Sequence, residues 1–555
     1  MKNVWRNIFL CVLVVVIFIM PVSTAESKIR DSVGQNTFSI NRSLNGGWLE
    51  EIDDVRILHV NGSYYDMGFQ HGSLLKNEVM ISLRTQLAYC EENEWPFERI
   101  LGVWYTMESY LPHKYKEEMQ GLADGAGMSF EQVAVLNTIP EIFNNFFEEA
   151  CCGIALWGDA TVDGKLYHIR SYDWPFNLTD PETGTFFQEN SLLIVRTPEM
   201  GYASISPEYA GDVSVYNGIN EKGIAVGENT CVTKDITHHG ISPAFRMRMV
   251  MDSASSADEA IDILMSNRTC GTNFVVSDAN VPIGYALDQS ANLSYVGKWD
   301  NPVEDTSPFW QIKDVARRSP MYIYPACAAI EDGRIIYDPS GLRGFLHALL
   351  GTSYSFIPWT HYRALSDEIE RRYGTLDLNE SMSLLRDEYT GKTDPIFRFG
   401  INNFVLYTCH FQWVACPETG DLVISFATPD RKACYNEVHY FNLFDLMNTD
   451  PHPNIEIAKP RNSYLYIGLR EISPTISKKT FIIGRTPIKV SASQEEDTEK
   501  VEFYLDDKLI ETVTETPFAA MLDETAFWKH TILAKAYYAD GSTPTDQMDV
   551  MIFNI

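Results

Sequence analysis

The apolar positions of this chain change their period twice, and each change marks a candidate domain boundary. Up to about residue 150 they recur at spacings of three and four, as in RTQLAYCEENEWPFERILGVWYTMESYL, the face pattern of amphipathic helices. The stretch KEEMQGLADGAGMSFEQVAVLNTIPEI predicts two helices joined by Gly125-Ala126-Gly127. Ser129 opens the second, with Gln132 three residues on as its capping-box partner. One short run, ILHVNGSY, has strand character, so residues 26–150 are expected to be a mostly helical leading segment. From 151 to about 447 short β-rich runs take over, among them CCGIALWG, LYHIRSYDW, NSLLIVRT, GIAVGENT, TNFVVSD and FQWVACPETGDLVISFAT. Two helical stretches interrupt them, HGISPAFRMRMVMDSASSADEAIDILMS and HYRALSDEIERRYG. Strands and helices in blocks favour an α+β architecture over a doubly wound one. Asp450-Pro451-His452-Pro453 and Pro460 mark a linker over 448–465. In residues 466–555, strands at the spacing of a β-sandwich predict an all-β tail resembling the immunoglobulin-like domains appended to many exported enzymes.

Composition narrows the function. With 45% hydrophobic and 21% charged residues the 555-residue chain is globular. Its formal net charge of −31 repels phosphate backbones and anionic lipid, which argues against a nucleic-acid partner. Lys2 and Arg6 precede an apolar run from Ile8 to Met20 and the small-residue stretch Ser23-Thr24-Ala25, so residues 1–25 read as a secretory signal peptide and the protein as secreted. The alternative is a membrane anchor left uncleaved, although the run is shorter than the ~20 apolar residues of a spanning helix. No stable membrane insertion is expected once the signal is removed. Sequons at Asn41, Asn61, Asn177, Asn267, Asn292 and Asn379 are compatible with export. Removing Cys11 with the signal leaves nine of ten cysteines, an odd number that implies a free thiol. Cys231 with Cys270, or Cys409 with Cys416, are candidate disulfides. No cysteine has zinc-site spacing, and neither a metal nor a cofactor is expected.

The adjacent pair Cys151-Cys152 is where a free thiol would have work. In EEACCGIALWGDATVDGKLYHIRSYDW, residues 148–174, two strands flank Asp163-Gly164 and predict a β-hairpin. Folding about that turn sets Cys151 opposite Phe176 and Ile154 opposite Asp173, leaving Asp173 about 10 Å from Cys151 along the partner strand. Arg170 and Asp173 are three apart, so a regular strand points them to opposite faces. Both reach one site only if the strand ends or bulges between them. A guanidinium beside Cys151 would favour its thiolate. Cleavage of the Ala150-Cys151 bond would expose an α-amine able to take the thiol proton, with Asp173 orienting the ammonium and the Asn229 amide stabilising an oxyanion. His168 offers a Cys/His dyad as an alternative, against a reading as an ordinary strand residue. His238-His239 reads as a cap or surface pair rather than a metal site.

The run Cys-x-x-Ile-Ala-x-Trp-Gly, then Asp-Gly-Lys-Leu-Tyr-His, then Arg-x-x-Asp-Trp, then GINEKGIAVGENT resembles the cysteine N-terminal nucleophile (Ntn) hydrolases of the acyl-coenzyme A:6-aminopenicillanic acid acyltransferase type. MGFQHGSLL, MQGLADGAG, HYRALSDEIERRYGTLD and FQWVACPETGDLVISFA extend the resemblance over about residues 55–445. It implies a four-layer αββα sandwich over 151–447, autoproteolysis at Ala150-Cys151, and hydrolysis or acyl transfer at the amide bond of a small N-acyl substrate. It also implies Cys151 as nucleophile, tuned by Arg170 and Asp173, with Asn229 as oxyanion amide. Counting back from Ile154-Ala155-Leu156-Trp157-Gly158 favours Cys151 over Cys152. Ser171 stands where the family usually has Asn. Ser319-Pro320 stands where a second family Asn is expected, and Arg318 is the candidate substitute. A chain lacking that amide has an alternative reading, a non-catalytic exported binding protein whose immunoglobulin-like tail contacts a cell surface or polysaccharide.

Overall fold

The computed structural model describes residues 38–44, 46–143, 151–331, 356–390, 407–448, 455–475, 479–492, 498–506, 508–538 and 543–554. Residues 1–25, the expected signal peptide, and Ala150 lie outside them, as does most of the first half of the expected linker.

Two sheets carry the region before residue 448. The first has ten strands: β1 (Phe38–Leu44), β2 (Gly47–Ile52), β3 (Val55–Gly62), β6 (Ser191–Pro198), β7 (Ser204–Tyr209), β8 (Asn217–Asn220), β9 (Ile224–Thr230), β10 (Thr272–Asp278), β11 (Ile283–Gln289) and β12 (Ser294–Gly297), in that spatial order. The second has six, in the order β13 (Val315–Arg318), β4 (Cys152–Leu156), β5 (Tyr167–Pro175), β14 (Tyr407–Cys416), β15 (Asp421–Phe426) and β16 (His439–Asn442). They meet face to face: Ala155, Leu166 and Ala316 pack with Val275 and Ala286 of the ten-stranded sheet. The helices Pro243–Ser253 and Ala257–Met265 pack on β8, β9 and β10, and the helix Leu378–Tyr389 packs on β5, β14 and β15. Mixed helix and sheet in blocks agrees with the sequence reading.

The leading segment is more than a helical cover. Five helices, from Tyr64–Leu74 to Phe130–Phe143, follow β1–β3, and β3 runs parallel to β6, pairing Ile57 with Leu193 through Gly62 with Pro198. The capping box forms as its spacing predicts: Gln132 N–H donates to Ser129 Oγ at 3.2 Å and Ser129 N–H to Gln132 Oε1 at 2.9 Å. The glycines of MGFQHG and MQGLADG have a steric reason. A Cβ on Gly68 would stand 1.9 Å from the Glu118 carbonyl oxygen, and one on Gly121 2.0 Å from that of Tyr65, so the helices Tyr64–Leu74 and His113–Ala126 touch backbone to backbone. Gly121→Ala is therefore expected to lower stability by about 3 kcal/mol, at the upper end for an overpacked site. Denaturant unfolding measures it, and an unchanged midpoint would contradict this packing.

Four expectations need correction. The predicted single helix over 239–266 is two, because Ala254, Ser255 and Ser256 break it and Ser256 caps the second by accepting from Glu259 N–H. The helix Leu378–Tyr389 is an addition. No disulfide joins any two of the nine cysteines in the described residues. Cys409 and Cys416 lie at opposite ends of the extended strand β14, while the Cys231 thiol meets Asn273 and that of Cys270 meets Glu141. Finally, strand pairing starts at Ile455, inside the predicted linker. The rest of the C-terminal region is all-β as expected, with a three-stranded and a seven-stranded sheet around one apolar core.

Candidate active site

The hairpin forms, but in another register. Ile154 pairs with Ile169 and Cys152 with Ser171, so Asp173 stands closer to Cys151 than folding about Asp163-Gly164 predicts. The cause is a longer connection. β4 ends at Leu156, Gly158–Ala160 coil into a 3₁₀ turn, and Asp314 anchors it by accepting from Trp157 N–H at its carbonyl (3.1 Å) and from Asp159 N–H at Oδ2 (3.0 Å).

Strand alternation then sorts the side chains. Cys152, Ile154 and Leu156, with Ile169 across from them, join Met382, Leu384 and Leu385 on the helix-covered face. Ala155 lies between the sheets, and Cys151 shares that parity, packing with Tyr172 and Trp174. Arg170, paired with Gly153, is on the inter-sheet side and Asp173 on the helix side, the opposite faces that a spacing of three dictates. The strand neither ends nor bulges between them. The irregularity sits in the partner strand β14, where Phe411 pairs with Tyr172 and Cys409 with Asp173.

Asp173 nevertheless reaches Cys151 through its backbone: Asp173 N–H donates to the Cys151 thiol sulfur at 3.3 Å, and that sulfur lies 3.9 Å from the Asp173 carbonyl. Cys151, Arg170, Asp173 and Asn229 are all fully buried. The Arg170 guanidinium donates to the Cys152 carbonyl at 3.3 Å, to the Ser171 carbonyl and to Asn229 Oδ1 at 3.2 Å. Asn229, on β9, comes within 3.6 Å of where a Gly153 Cβ would stand, so the missing side chain lets this amide approach the strand carrying the thiol. The structure thus brings Cys151, Arg170, Asp173 and Asn229 together at one end of β4.

Two sets of residues here escaped sequence reasoning. Asn273, beside Asn229 in the sheet, accepts from Asn229 Nδ2 at 2.7 Å and donates to the carbonyls of Ser319 (2.7 Å) and Met321 (3.1 Å). The Ser319-Pro320 segment therefore contributes carbonyls to this corner, and the extra amide comes from β10. Arg318 does not substitute for it, being engaged by Asp288 at 2.7 Å and Glu304 at 2.7 Å. The second set lies behind Asp173. Tyr389 O–H donates to Asp173 Oδ2 at 2.6 Å, His361 Nε2 lies 3.2 Å from the Tyr389 oxygen, and His361 Nδ1 lies 2.5 Å from Glu388 Oε1. Asp173 Oδ1 is buried with no hydrogen-bond partner among the described residues. Burial pushes the Asp173 carboxyl up to about 7, with Tyr389, His361 and Arg170 pulling the other way. Burial also pulls His361 down to about 4.

His168 is a core residue, bonded through Nδ1 to Ser277 Oγ at 2.9 Å and pulled down to about 3 by burial, so the structure gives no support to a Cys/His dyad. His238 faces Glu141 at 3.4 Å. Among the described residues no group of three or more His, Cys, Asp and Glu side chains is placed to hold a metal ion, and no helix is long and apolar enough to cross a membrane.

Residues 161–290 match the family described as acyl-coenzyme A:6-aminopenicillanic acid acyl-transferase. An uncharacterised protein of Archaeoglobus fulgidus is 26% identical over 40% of this chain and 41% of its own length. The acyl-coenzyme A:6-aminopenicillanic-acid-acyltransferase 40 kDa form of Emericella nidulans is 24% identical over 42% of this chain and 64% of its own. This chain thus spans roughly half the length of these curated relatives. A solved Caenorhabditis elegans ortholog of N-acylethanolamine-hydrolyzing acid amidase aligns with 48% of this chain and 93% of its own at a TM-score of 0.30 and 13% identity.

Proposed function

We propose, from the match of residues 161–290 to the acyl-coenzyme A:6-aminopenicillanic acid acyl-transferase family and from the site around Cys151, that this chain is an exported, self-processing cysteine amidohydrolase or acyltransferase acting on a linear N-acyl bond. The single observation that carries the reading is the contact of the Cys151 thiol with the Asp173 backbone, beside Arg170 and under Asn229, at the start of β4. On this reading the two facing sheets and their helices are the αββα layers of an Ntn hydrolase. The C-terminal sheets are an immunoglobulin-like module, whose exposed Phe527 and Trp528 offer aromatic surface to a cell-surface polysaccharide.

The chemistry has two stages. In the continuous chain the Cys151 sulfur attacks the Ala150 carbonyl carbon, and the Ala150–Cys151 C–N bond breaks as the thioester forms. Water then cleaves the thioester, leaving a carboxylate on Ala150, a thiol and a free α-amine on Cys151. In turnover that amine, with an ordinary pKa of about 7.7–8.0, takes the thiol proton as sulfur attacks the substrate carbonyl. The oxyanion is met by the second N–H of the Asn229 amide, which Asn273 holds in place by accepting the first. The ammonium, held by an ionised Asp173, protonates the departing amine, and water or a second amine takes the acyl group from sulfur.

Purified protein tests this directly. Wild type should run as two fragments on a denaturing gel, the second beginning Cys-Cys-Gly-Ile by Edman sequencing, and Cys151→Ala should run as one. An uncut wild type, or turnover of N-acyl substrates unchanged by Cys151→Ala, would contradict it.

A further inference from the structure

Behind Asp173 runs a line of buried groups for which the proposed reaction has no use. It starts on β5 with Asp173, crosses to Tyr389 and Glu388 at the end of the helix Leu378–Tyr389, and passes through His361 on the helix Phe356–Arg371. Each link is a hydrogen bond: 2.6 Å from Tyr389 O–H to Asp173 Oδ2, 3.2 Å from His361 Nε2 to the Tyr389 oxygen, and 2.5 Å from His361 Nδ1 to Glu388 Oε1. Asp173, His361 and Glu388 are fully buried and Tyr389 nearly so, and two carboxyls buried this close together cost more free energy when both are ionised than when one keeps its proton.

The donors and acceptors allow two directions along the line, and the first follows from the hydroxyl of Tyr389. Tyr389 donates to Asp173, so its oxygen receives from His361, which places a hydrogen on Nε2. Burial keeps His361 neutral near pH 7, so Nδ1 is then a bare acceptor, and a hydrogen bond to it requires the proton to sit on Glu388. The reversed direction is equally well bonded: Asp173 carries the proton, Tyr389 donates to Nε2, and Nδ1–H donates to an ionised Glu388.

We infer that Glu388, through His361 and Tyr389, holds the proton that Asp173 gives up, so that one proton is shared between the two buried carboxyls and Asp173 ionises without charging the interior further. This rests on the proposed role of Asp173 as holder of the Cys151 ammonium. Three protons each move across one hydrogen bond: Glu388 O–H to Nδ1, Nε2–H to the Tyr389 oxygen, Tyr389 O–H to Asp173. No atom leaves and no electron is transferred. The line shifts one way as the Cys151 amine gains a proton and back as it passes that proton to the leaving group. Tyr389, His361 and Glu388 are thus positioning residues. Among the described residues, the other ionisable groups facing Asp173 include Arg170 on its own strand, Cys151 and Cys152 from the neighbouring strand, and Cys409 from β14. None of these bridges the two carboxyls.

The test compares Tyr389→Phe, Glu388→Leu and Glu388→Gln with the parent chain. Removing the tyrosine hydroxyl takes a donor from ionised Asp173, and the acid limb of the kcat/KM profile should move up by about one pH unit. Leucine at 388 lets His361 carry its hydrogen on Nδ1 and turns the tyrosine hydroxyl away, so the same upward shift is expected. Glutamine keeps an N–H donor against Nδ1, so the tyrosine hydroxyl stays on ionised Asp173 and the limb should not rise, but an amide cannot pass its proton along the line, so kcat should fall below that of the parent. A structural role alone would not distinguish leucine from glutamine in this way. The same substitutions in a Cys151→Ala background give a readout free of turnover, the pH at which stability stops changing, with the same expected order. If glutamine behaves as leucine does, or Tyr389→Phe leaves both profiles in place, the shared proton is refuted whether or not wild type turns over. If the expected order appears in the thermal profiles of a chain that never cuts itself or turns over, the relay stands and the proposed reaction falls. Tyr389→Phe, which removes one oxygen, carries the test with Glu388→Gln if the leucine chain does not fold.

Discussion

Asp173→Asn should slow self-cleavage and lower turnover of the cut protein by about 10³-fold, the scale lost when a preorganised charge partner is removed from a buried site, while making the folded chain more stable above neutral pH. The two effects share one cause. Burial holds the Asp173 carboxyl at about 7 in the folded chain, against an ordinary value of about 3.9 in the unfolded one. A carboxyl raised on folding favours the folded state in full below about pH 4, and that contribution is lost as pH climbs through about 7. Asparagine mimics the protonated form and has no such loss. In a Cys151→Ala background, where no ammonium forms, the stability of Asp173→Asn relative to aspartate should grow from near zero at pH 4 to on the order of 3 kcal/mol at pH 8. Denaturant unfolding at the two pH values measures it. A gap that stays constant, or that closes as pH rises, would mean that Asp173 is ionised at little cost and has no need of Tyr389 behind it.

Much of the site was legible because its signals are local. A capping box spans four residues, and Ser129 with Gln132 forms one. A hairpin needs two apolar runs and a turn, and Cys151 to Asp173 supplies them. Register was not legible, because it depends on where the first strand stops, and Leu156 stops there for the sake of Asp314, far along the chain. The spacing of Arg170 and Asp173 was read for what it means on a pleated strand, yet the thiol meets the backbone of Asp173 rather than its carboxylate, and spacing says nothing of main-chain contacts. Tyr389 is 216 residues from Asp173 and Asn273 lies 44 from Asn229, and neither pair has a local signature. Asn273 had the better chance, since it is the second residue of TNFVVSD, whose neighbour in an antiparallel sheet is GIAVGENT. The strands β1 and β2 were also readable: Asn45-Gly46 between FSINRSL and GWLEEI is a two-residue hairpin signal, and Leu44 pairs with Gly47.

Those strands decide what becomes of a chain cut before Cys151. Cleavage should not release the leading segment, and the two pieces should co-elute in native size-exclusion chromatography and part only in denaturant. The segment supplies β1, β2 and β3 to the ten-stranded sheet, and its link to the rest is the parallel pairing of β3 with β6. Its helices are tied across the cut by buried polar bonds. Arg248 meets Glu118 at 3.1 and 2.9 Å and Asp252 at 3.0 Å, Tyr64 and Tyr115 each donate to Asp252 at 2.9 Å, and Asn137 brackets Gly211 and Val213. Breaking one bond near residue 150 touches none of these, and it leaves Leu58, Leu193 and Ile194 in one core with Leu122 and Leu136. Glu118→Ala gives the contrast. It strips Arg248 of a carboxylate in a dry site, a loss of about 3–5 kcal/mol when a buried pair is broken from one side. Before cleavage that loss lowers the unfolding midpoint of a single chain. After cleavage it falls on the association of two, so the cut variant should dissociate at lower urea than cut wild type and do so more readily on dilution. Fragments that separate in native buffer would show that these bonds are weaker than their burial implies, and that the leading segment acts as a removable propeptide.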